Sequence, residues 1–181
     1  MDDIVKAAMA KWPGVPHCYG WLGLDRRGRW YMRDDIAQAA GAFPASKGSL
    51  LIHDKLIAFI ERNYLADEHG QWFFQNGPQR VYVELEATPF VWRLLPGGAV
   101  STHTGRVMPV QRTLTDEEGR LYLVGEGLVG LVDGADMLAA ADRIESGEWQ
   151  PEPVTASALP GLFGYVRSPS ARHAASIKGR L

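Results

Sequence analysis

Asp25-Arg-Arg-Gly-Arg-Trp-Tyr-Met32, Asp67-Glu-His-Gly-Gln-Trp-Phe-Phe74 and Asp116-Glu-Glu-Gly-Arg-Leu-Tyr-Leu123 are three copies of one pattern. Each runs Asp-x-x-Gly, then one polar residue, then three large apolar or aromatic residues. Asp at the first corner and Gly at the fourth suit a type I turn, and Gly also tolerates the positive φ from which the chain enters a strand. The pattern therefore reads as a hairpin turn followed by a strand, three times over, and predicts an antiparallel sheet. The copies begin 42 and 49 residues apart, spacings that solenoid repeats also use. The first interval holds a helix and the second four strands, so recurrent turn chemistry within one sheet is the preferred reading.

Working outward, residues 19–24 and 29–33 read as the strands flanking the first turn. Residues 2–12 carry helical spacing and stop at Pro13 and Pro16, and 34–41 form a helical turn. Ser49 is the expected N-cap of the main helix, 50–64, with Ile52, Leu56, Phe59, Ile60 and Asn63 on one face. Strands follow at about 71–75, 80–86, 90–95, 99–104, 109–114, 120–125 and 128–131, with Asn76-Gly77 and Pro96-Gly97-Gly98 as further turns. Asp133 is placed to cap a last helix, about 134–145. Beyond Gly147 the composition shifts to Pro, Ser and Ala, with one apolar island, Leu159 to Val166, expected as an edge strand. The predicted class is α+β: a twisted, mainly antiparallel sheet of about seven strands, with a partial barrel as the curled version, and helix 50–64 packed on one face. Residues 1–150 are expected as a single α+β domain and 151–181 as a Pro/Ser/Ala-rich basic C-terminal tail.

The chain has 181 residues, 46% of them hydrophobic, and a formal net charge of −2, ordinary values for a globular protein. Its apolar runs fall short of the roughly 18 residues that a membrane span needs, and the acidic start, Met1-Asp-Asp-Ile, does not resemble a secretory signal. Cys18 is the single cysteine, which excludes an internal disulfide and fits a reducing compartment. A cytoplasmic protein is expected. Residues 167–181 contribute +4 of charge while the remainder sums to −6. An acidic body disfavours nucleic acid, which needs a phosphate-neutralising surface.

Alternation separates the strand faces. Trp30, Met32, Trp72, Phe74, Leu121 and Leu123 are predicted to point inward. Arg29, Tyr31, Arg33, Gln71, Phe73, Gln75, Arg120 and Tyr122 are predicted to point outward, with Arg80, Tyr82 and Arg93 beside them. Aromatics interleaved with Arg define either an ordinary sheet face or a recognition surface, since Tyr and Arg are enriched where proteins meet partners. The candidate binding residues are Arg29, Tyr31, Phe73, Gln75, Asn76, Arg80, Tyr82, Arg93, His103 and Tyr122.

No catalytic residue is assigned, no metal site is expected and no cofactor is implied. His17 and Cys18 are adjacent in extended chain and so point apart, which suits an inert thiol better than an activated one. The five histidines show no ligand spacing. Glu84 and Glu86 share a face, and cross-strand ion pairs with Arg80, Arg93 and Arg112 are preferred to acid/base chemistry. Ala45–Ser49 reads as a helix start rather than a phosphate cradle. Gln75, Asn76, Gln79 and Arg80 surround a tight hairpin that is either a polar-ligand tip or a hydrogen-bonded lock.

The runs Trp12-Pro-Gly-Val-Pro-His-Cys-Tyr-Gly-Trp-Leu-Gly-Leu-Asp25, Ile57-Ala-Phe-Ile-Glu-Arg-Asn-Tyr64 and Trp72-Phe-Phe-Gln-Asn-Gly-Pro-Gln-Arg-Val-Tyr-Val83 resemble a family of proteobacterial proteins of unknown function, over roughly residues 12–132. The resemblance implies a bacterial protein and brings no assigned residue. Two functions are weighed. The first is a non-enzymatic binding or assembly module that uses the aromatic/Arg face to engage a protein partner or a second copy of itself. The alternative is a small-molecule enzyme or receptor with a pocket near the 75–80 hairpin, His17 and His103, where Arg80 clamps a small anionic ligand.

Overall fold

The structure, a computed structural model, describes residues 1–179. It divides into two compact units: Met1–Asp25 with Arg29–Glu86 and the chain from Tyr165 onward, and Arg26–Gly28 with Ala87–Gly164.

In the first unit, α1 (Asp3–Lys11), β1 (Cys18–Leu24), β2 (Trp30–Met32), α2 (Asp35–Ala40), β3 (Ser49–Leu50), α3 (Asp54–Arg62), β4 (Tyr64–Ala66), β5 (Trp72–Asn76) and β6 (Gln79–Leu85) follow in order. Their six strands form one sheet in the order β3-β2-β1-β6-β5-β4. Every neighbouring pair is antiparallel except β1 and β6, which run parallel. Helix α3 lies on one face because Leu56, Phe59 and Ile60 recur at helical spacing. Ile60 is buried, and the Phe59 ring meets Phe74 edge-on at 5.4 Å. The helix starts four residues later than expected. His53 Nδ1 accepts from the Leu56 amide, while Ser49, the anticipated cap, pairs with Met32 in edge strand β3. The other face is closed by the 34–47 loop, and a Cβ on Gly23 would meet the Phe43 ring at 2.6 Å.

In the second unit, β7 (Phe90–Leu94), β8 (Val100–Thr102), β9 (Arg112–Thr115), β10 (Leu121–Gly125) and β11 (Leu128–Val132) precede a 3-10 turn at Gly134–Asp136. Then come α4 (Met137–Glu145), β12 (Glu152–Pro153) and α5 (Leu159–Phe163). The sheet order is β12-β9-β10-β11-β7-β8, with β11 parallel to β7 and β12 parallel to β9. Trp92 is the centre of the core, fully buried among Val100, Met108, Leu121, Leu123, Val132, Ala140 and Trp149. Its indole N–H donates to the Leu123 carbonyl at 2.9 Å, so its one polar atom is satisfied inside. Asp133 caps the 3-10 turn through the Ala135 amide.

Helix α6 (Pro169–Lys178) belongs to the first unit. It is pinned by Glu84, whose two oxygens accept from Ser168 Oγ at 2.6 Å and the Ser170 amide at 3.0 Å. The Leu85 amide donates to the Arg167 carbonyl just before it.

The protein is thus mixed α+β, but among the described residues it has two six-stranded sheets in place of one sheet of about seven strands, and no closed barrel. Each Asp-x-x-Gly turn does join an antiparallel hairpin: β1–β2, β4–β5 and β9–β10. What turn chemistry does not reveal is the pairing of strands distant in sequence, and β1–β6 and β7–β11 are both of that kind. The island Leu159–Val166 forms α5 rather than an edge strand, with Leu159 buried and Gly164 ending the helix in the left-handed region. The segment expected as a tail is divided between the units, its later part forming α6.

Candidate functional site

The three turns share a hydrogen-bonding scheme finer than their sequence pattern. In each, the Asp amide donates to the carbonyl four residues on, whose own amide donates back to the Asp Oδ1; the pairs are Asp25–Arg29, Asp67–Gln71 and Asp116–Arg120. The side chain at that fourth position donates to Oδ2, from Arg29 Nε at 2.9 Å, Gln71 Nε2 at 3.0 Å and Arg120 Nε at 2.6 Å. A tyrosine hydroxyl completes the cage: Tyr31 on Asp25 at 3.2 Å, Tyr82 on Asp67 at 3.1 Å and Tyr122 on Asp116 at 2.7 Å. Tyr31 and Tyr122 stand six residues after their Asp. The second copy has Phe73 there, and its tyrosine comes from β6, where Tyr82 is the register partner of Phe73. The turn glycines Gly28, Gly70 and Gly119 sit at φ +74°, +74° and +73°, which the pattern needs and other residues resist.

This cage explains where the expected outward face went. Tyr31, Phe73, Tyr82 and Tyr122 are buried, as are Arg33, Gln71 and Gln75, whereas Met32, expected inside, is exposed. Tertiary cover lies on both sheet faces of the first unit, so alternation distinguishes two buried faces there rather than a wet one from a dry one. Burial pushes the Tyr82 hydroxyl up to about 12. Burial alone would raise the Asp116 carboxyl, but hydrogen bonds from the Tyr122 and Arg120 side chains and two amides hold it below its ordinary 3.8. Asp67 is lowered in the same way by the Gln71 and His69 amides, the Gln71 side chain and Tyr82.

The remaining candidates are dispersed. Arg29 pairs with Asp25, Arg80 lies over the Phe73 ring at 4.6 Å, Gln75 Nε2 donates to the Gly77 carbonyl, and Asn76 is exposed. Arg93, His103 and Tyr122 belong to the second unit, where Arg93 pairs with Asp133 and donates to the Arg27 carbonyl. His103 Nδ1 accepts from the Val91 amide. Burial of the ring, with Arg93 near it, pushes His103 down to about 3, so it is neutral at physiological pH. The anticipated cross-strand ion pairs do not form. Glu84 receives α6, Glu86 receives Lys47 at 2.8 Å, and Arg112 pairs with Glu152. Arg33, expected outside, is a buried staple whose guanidinium donates to the Gly20, Ala37, Gly41 and Ser46 carbonyls. Among the described residues no group of three His, Cys, Asp or Glu side chains is placed to hold a metal, and no helix is long and apolar enough to cross a membrane.

The feature that alternation did not reveal is a cleft of about 270 Å³ between α3 and the sheet, lined chiefly by Trp21, Leu22, Met32, Phe59, Phe74 and Val81. Cys18 also lines it, and Asn76 and Gln79 bring side-chain amides from the 76–79 hairpin. A bulge in β1 shapes the cleft. Cys18 pairs with Val81 and Leu22 with Val83, so β1 uses four steps where β6 uses two, with Gly20 at φ +81°. The bulge leaves Trp21 39% exposed on the cleft and turns Tyr19 onto Tyr82 on the opposite face.

Fold and site together define a mixed α+β protein whose sheets are anchored by caged-aspartate turns and whose first unit carries a small apolar cleft. The chain belongs to the DUF2944 family, described as "Protein of unknown function (DUF2946)", whose family model matches residues 1–170. Among solved structures, it is similar to a DUF1285 family protein from Silicibacter pomeroyi, with 16% identity and a TM-score of 0.47 over 74% of each chain. It is also similar to a DUF1285 family protein from Shewanella baltica, with 21% identity and a TM-score of 0.44 over 68% of this chain and 91% of that one. No curated protein matches it.

Proposed function

We propose that the protein is a non-enzymatic ligand-binding module whose site is the cleft beside the 76–79 hairpin. The observation that carries this reading is the lining itself: a concave, largely apolar wall with a few side-chain amides at one hairpin, the composition typical of small-molecule sites. At about 270 Å³ the cleft suits a short ligand, an alkyl or aromatic group bearing one polar end that Asn76 or Gln79 would meet. The Gln79 amide is already oriented by donating to the Pro16 carbonyl at 3.0 Å. Trp21, Met32 and Ile52, exposed by 39%, 44% and 82%, extend the apolar surface in the same unit. The lone thiol of Cys18 fits a cytoplasmic, reducing setting.

Cys18 also supplies the test, because it is the only thiol in the chain. The rate at which Ellman's reagent modifies it is measured with and without decanoate, alongside Trp fluorescence. Slowed modification with a saturable fluorescence change supports the reading, and Val81→Trp, which fills the cleft, should remove both effects. Unchanged rates and fluorescence across millimolar decanoate and a comparable aromatic acid would overturn it.

A further inference from the structure

A second cavity, of about 260 Å³, lies on the opposite face of the same sheet and has a different chemistry. It is lined by Tyr19, His69, Gln71, Arg172, His173 and Ser176. None of the six is acidic, and none is aliphatic. Ser176 stands four residues after Arg172 and three after His173, so it neighbours both on the surface of α6, and all three line the cavity. His69 and Gln71 come from the caged turn of Asp67. Both walls are held in place: the His173 ring stacks on Tyr19 at 4.0 Å, Tyr19 stacks on Tyr82 at 4.5 Å, and the Tyr82 hydroxyl donates to Asp67. The Asp67 carboxylate is thereby already occupied, since it also accepts from the His69 and Gln71 amides and from Gln71 Nε2, and the exposed Glu68 carboxylate stands 3.8 Å from His69 Nε2.

The arginine is the telling residue. Arg29, Arg62, Arg93, Arg106, Arg112, Arg120 and Arg143 each pair with a carboxylate. Arg172, like Arg33, Arg80 and Arg167, has no such pair among the described residues; it lines the cavity, and its Nη1 donates to the His69 carbonyl at 3.3 Å. No acidic residue occurs between Arg167 and the end of the chain. A planar fork on one wall and imidazole donors on two sides suit a tetrahedral oxyanion better than a flat carboxylate, which the fork alone would satisfy.

We propose that this cavity is a binding site for a small phosphate-class oxyanion, inorganic phosphate or a phosphomonoester, with Arg172 as its principal contact and His69 and His173 as additional donors. It is independent of the apolar cleft, and bound anion would bridge α6 to the Asp67 turn.

The test is NMR of the histidine ring protons in the full chain at pH 7, titrated with sodium phosphate, glycerol phosphate and acetate at constant ionic strength. The expected result is saturable shifts of the His69 and His173 rings with both phosphates and not with acetate. Tighter binding of glycerol phosphate would identify an ester as the ligand source, and tighter binding of phosphate would identify the free ion. Arg172→Gln should weaken binding at least tenfold, while Lys178→Gln, the same charge change elsewhere on α6, should leave it unchanged. Arg172→Gln also removes a contact that holds α6, so His69→Ala, which keeps the carbonyl that Arg172 grips, is the second variant and should weaken binding severalfold. Shifts that never saturate, an acetate affinity equal to that of phosphate, or equal losses in Arg172→Gln and Lys178→Gln would each overturn the proposal.

Discussion

The Asp116 turn and the Asp67 turn reach the same hydrogen-bonded cage by different routes. In the first, everything is local: Asp116, Arg120 and Tyr122 lie within seven residues, and Tyr122 closes the cage from its own strand. In the second, the local position holds Phe73, and the hydroxyl is supplied across the β5–β6 ladder by Tyr82, fifteen residues away. A sheet places directly paired residues side by side on one face, so a tyrosine on the neighbouring strand can substitute for one on the turn's own strand. The lesson is that a repeated turn motif conserves the carboxylate's set of partners rather than the position of each partner in the sequence.

The comparison breaks most severely if the carboxylate is removed. Asp116 has a fully buried side chain, and Asp116→Ala strands two amides and a phenol and leaves Arg120 with Glu118 alone. The expected loss is about 3–4 kcal/mol in urea unfolding. Asp67→Ala, at a half-buried position, should cost less, and the ranking would fail if the two were equal. Acid unfolding tests the same carboxylates. Both have folded values below the ordinary 3.8, so their contribution is complete above that value and is lost as pH falls through the lower folded values. Unfolding midpoints should therefore drop as pH falls below about 4, and Asp116→Asn should flatten that dependence.

The two routes are sharpened by moving the hydroxyl. Tyr82→Phe should cost about 1 kcal/mol, and adding Phe73→Tyr, which gives the second turn the spacing of the other two, should restore part of it. No recovery in the double variant would mean that the Asp67 cage cannot be closed locally. An effect of the same size as that of Tyr82→Phe is expected at Gly119, where a Cβ would meet nothing within 4 Å but φ is +73°. Gly119→Ala should cost about 1 kcal/mol from backbone conformation alone.

The hairpins were legible because their determinants are local. Asp-x-x-Gly and Asn76-Gly77 mark turns within a few residues, and strands β5 to β11 fall close to where alternation places them. Helix α3 was legible as an apolar stripe, but its start was not, since Ser49 is drawn into β3 by pairing with Met32. The expected outward exposure of Tyr31, Phe73, Tyr82 and Tyr122 did not hold, because alternation reports which residues share a face, not whether that face is covered. The cleft depends on a two-residue irregularity in β1, and neither Gly20 nor the residues around it announce that register shift.

By itself, then, the sequence determined the turns, the strand segments, the apolar stripe of α3 and the α+β class, all of which depend on interactions over a few residues. The tertiary structure alone decided that there are two sheets, that β1 lies parallel to β6, that Tyr82 serves Asp67, and that α6 returns to the first unit and brings Arg172 and His173 beside Tyr19. The physical reason is that contacts between distant segments form only when many of them together outweigh the chain entropy lost in joining them. That balance belongs to the whole packing, and no short stretch of residues carries it.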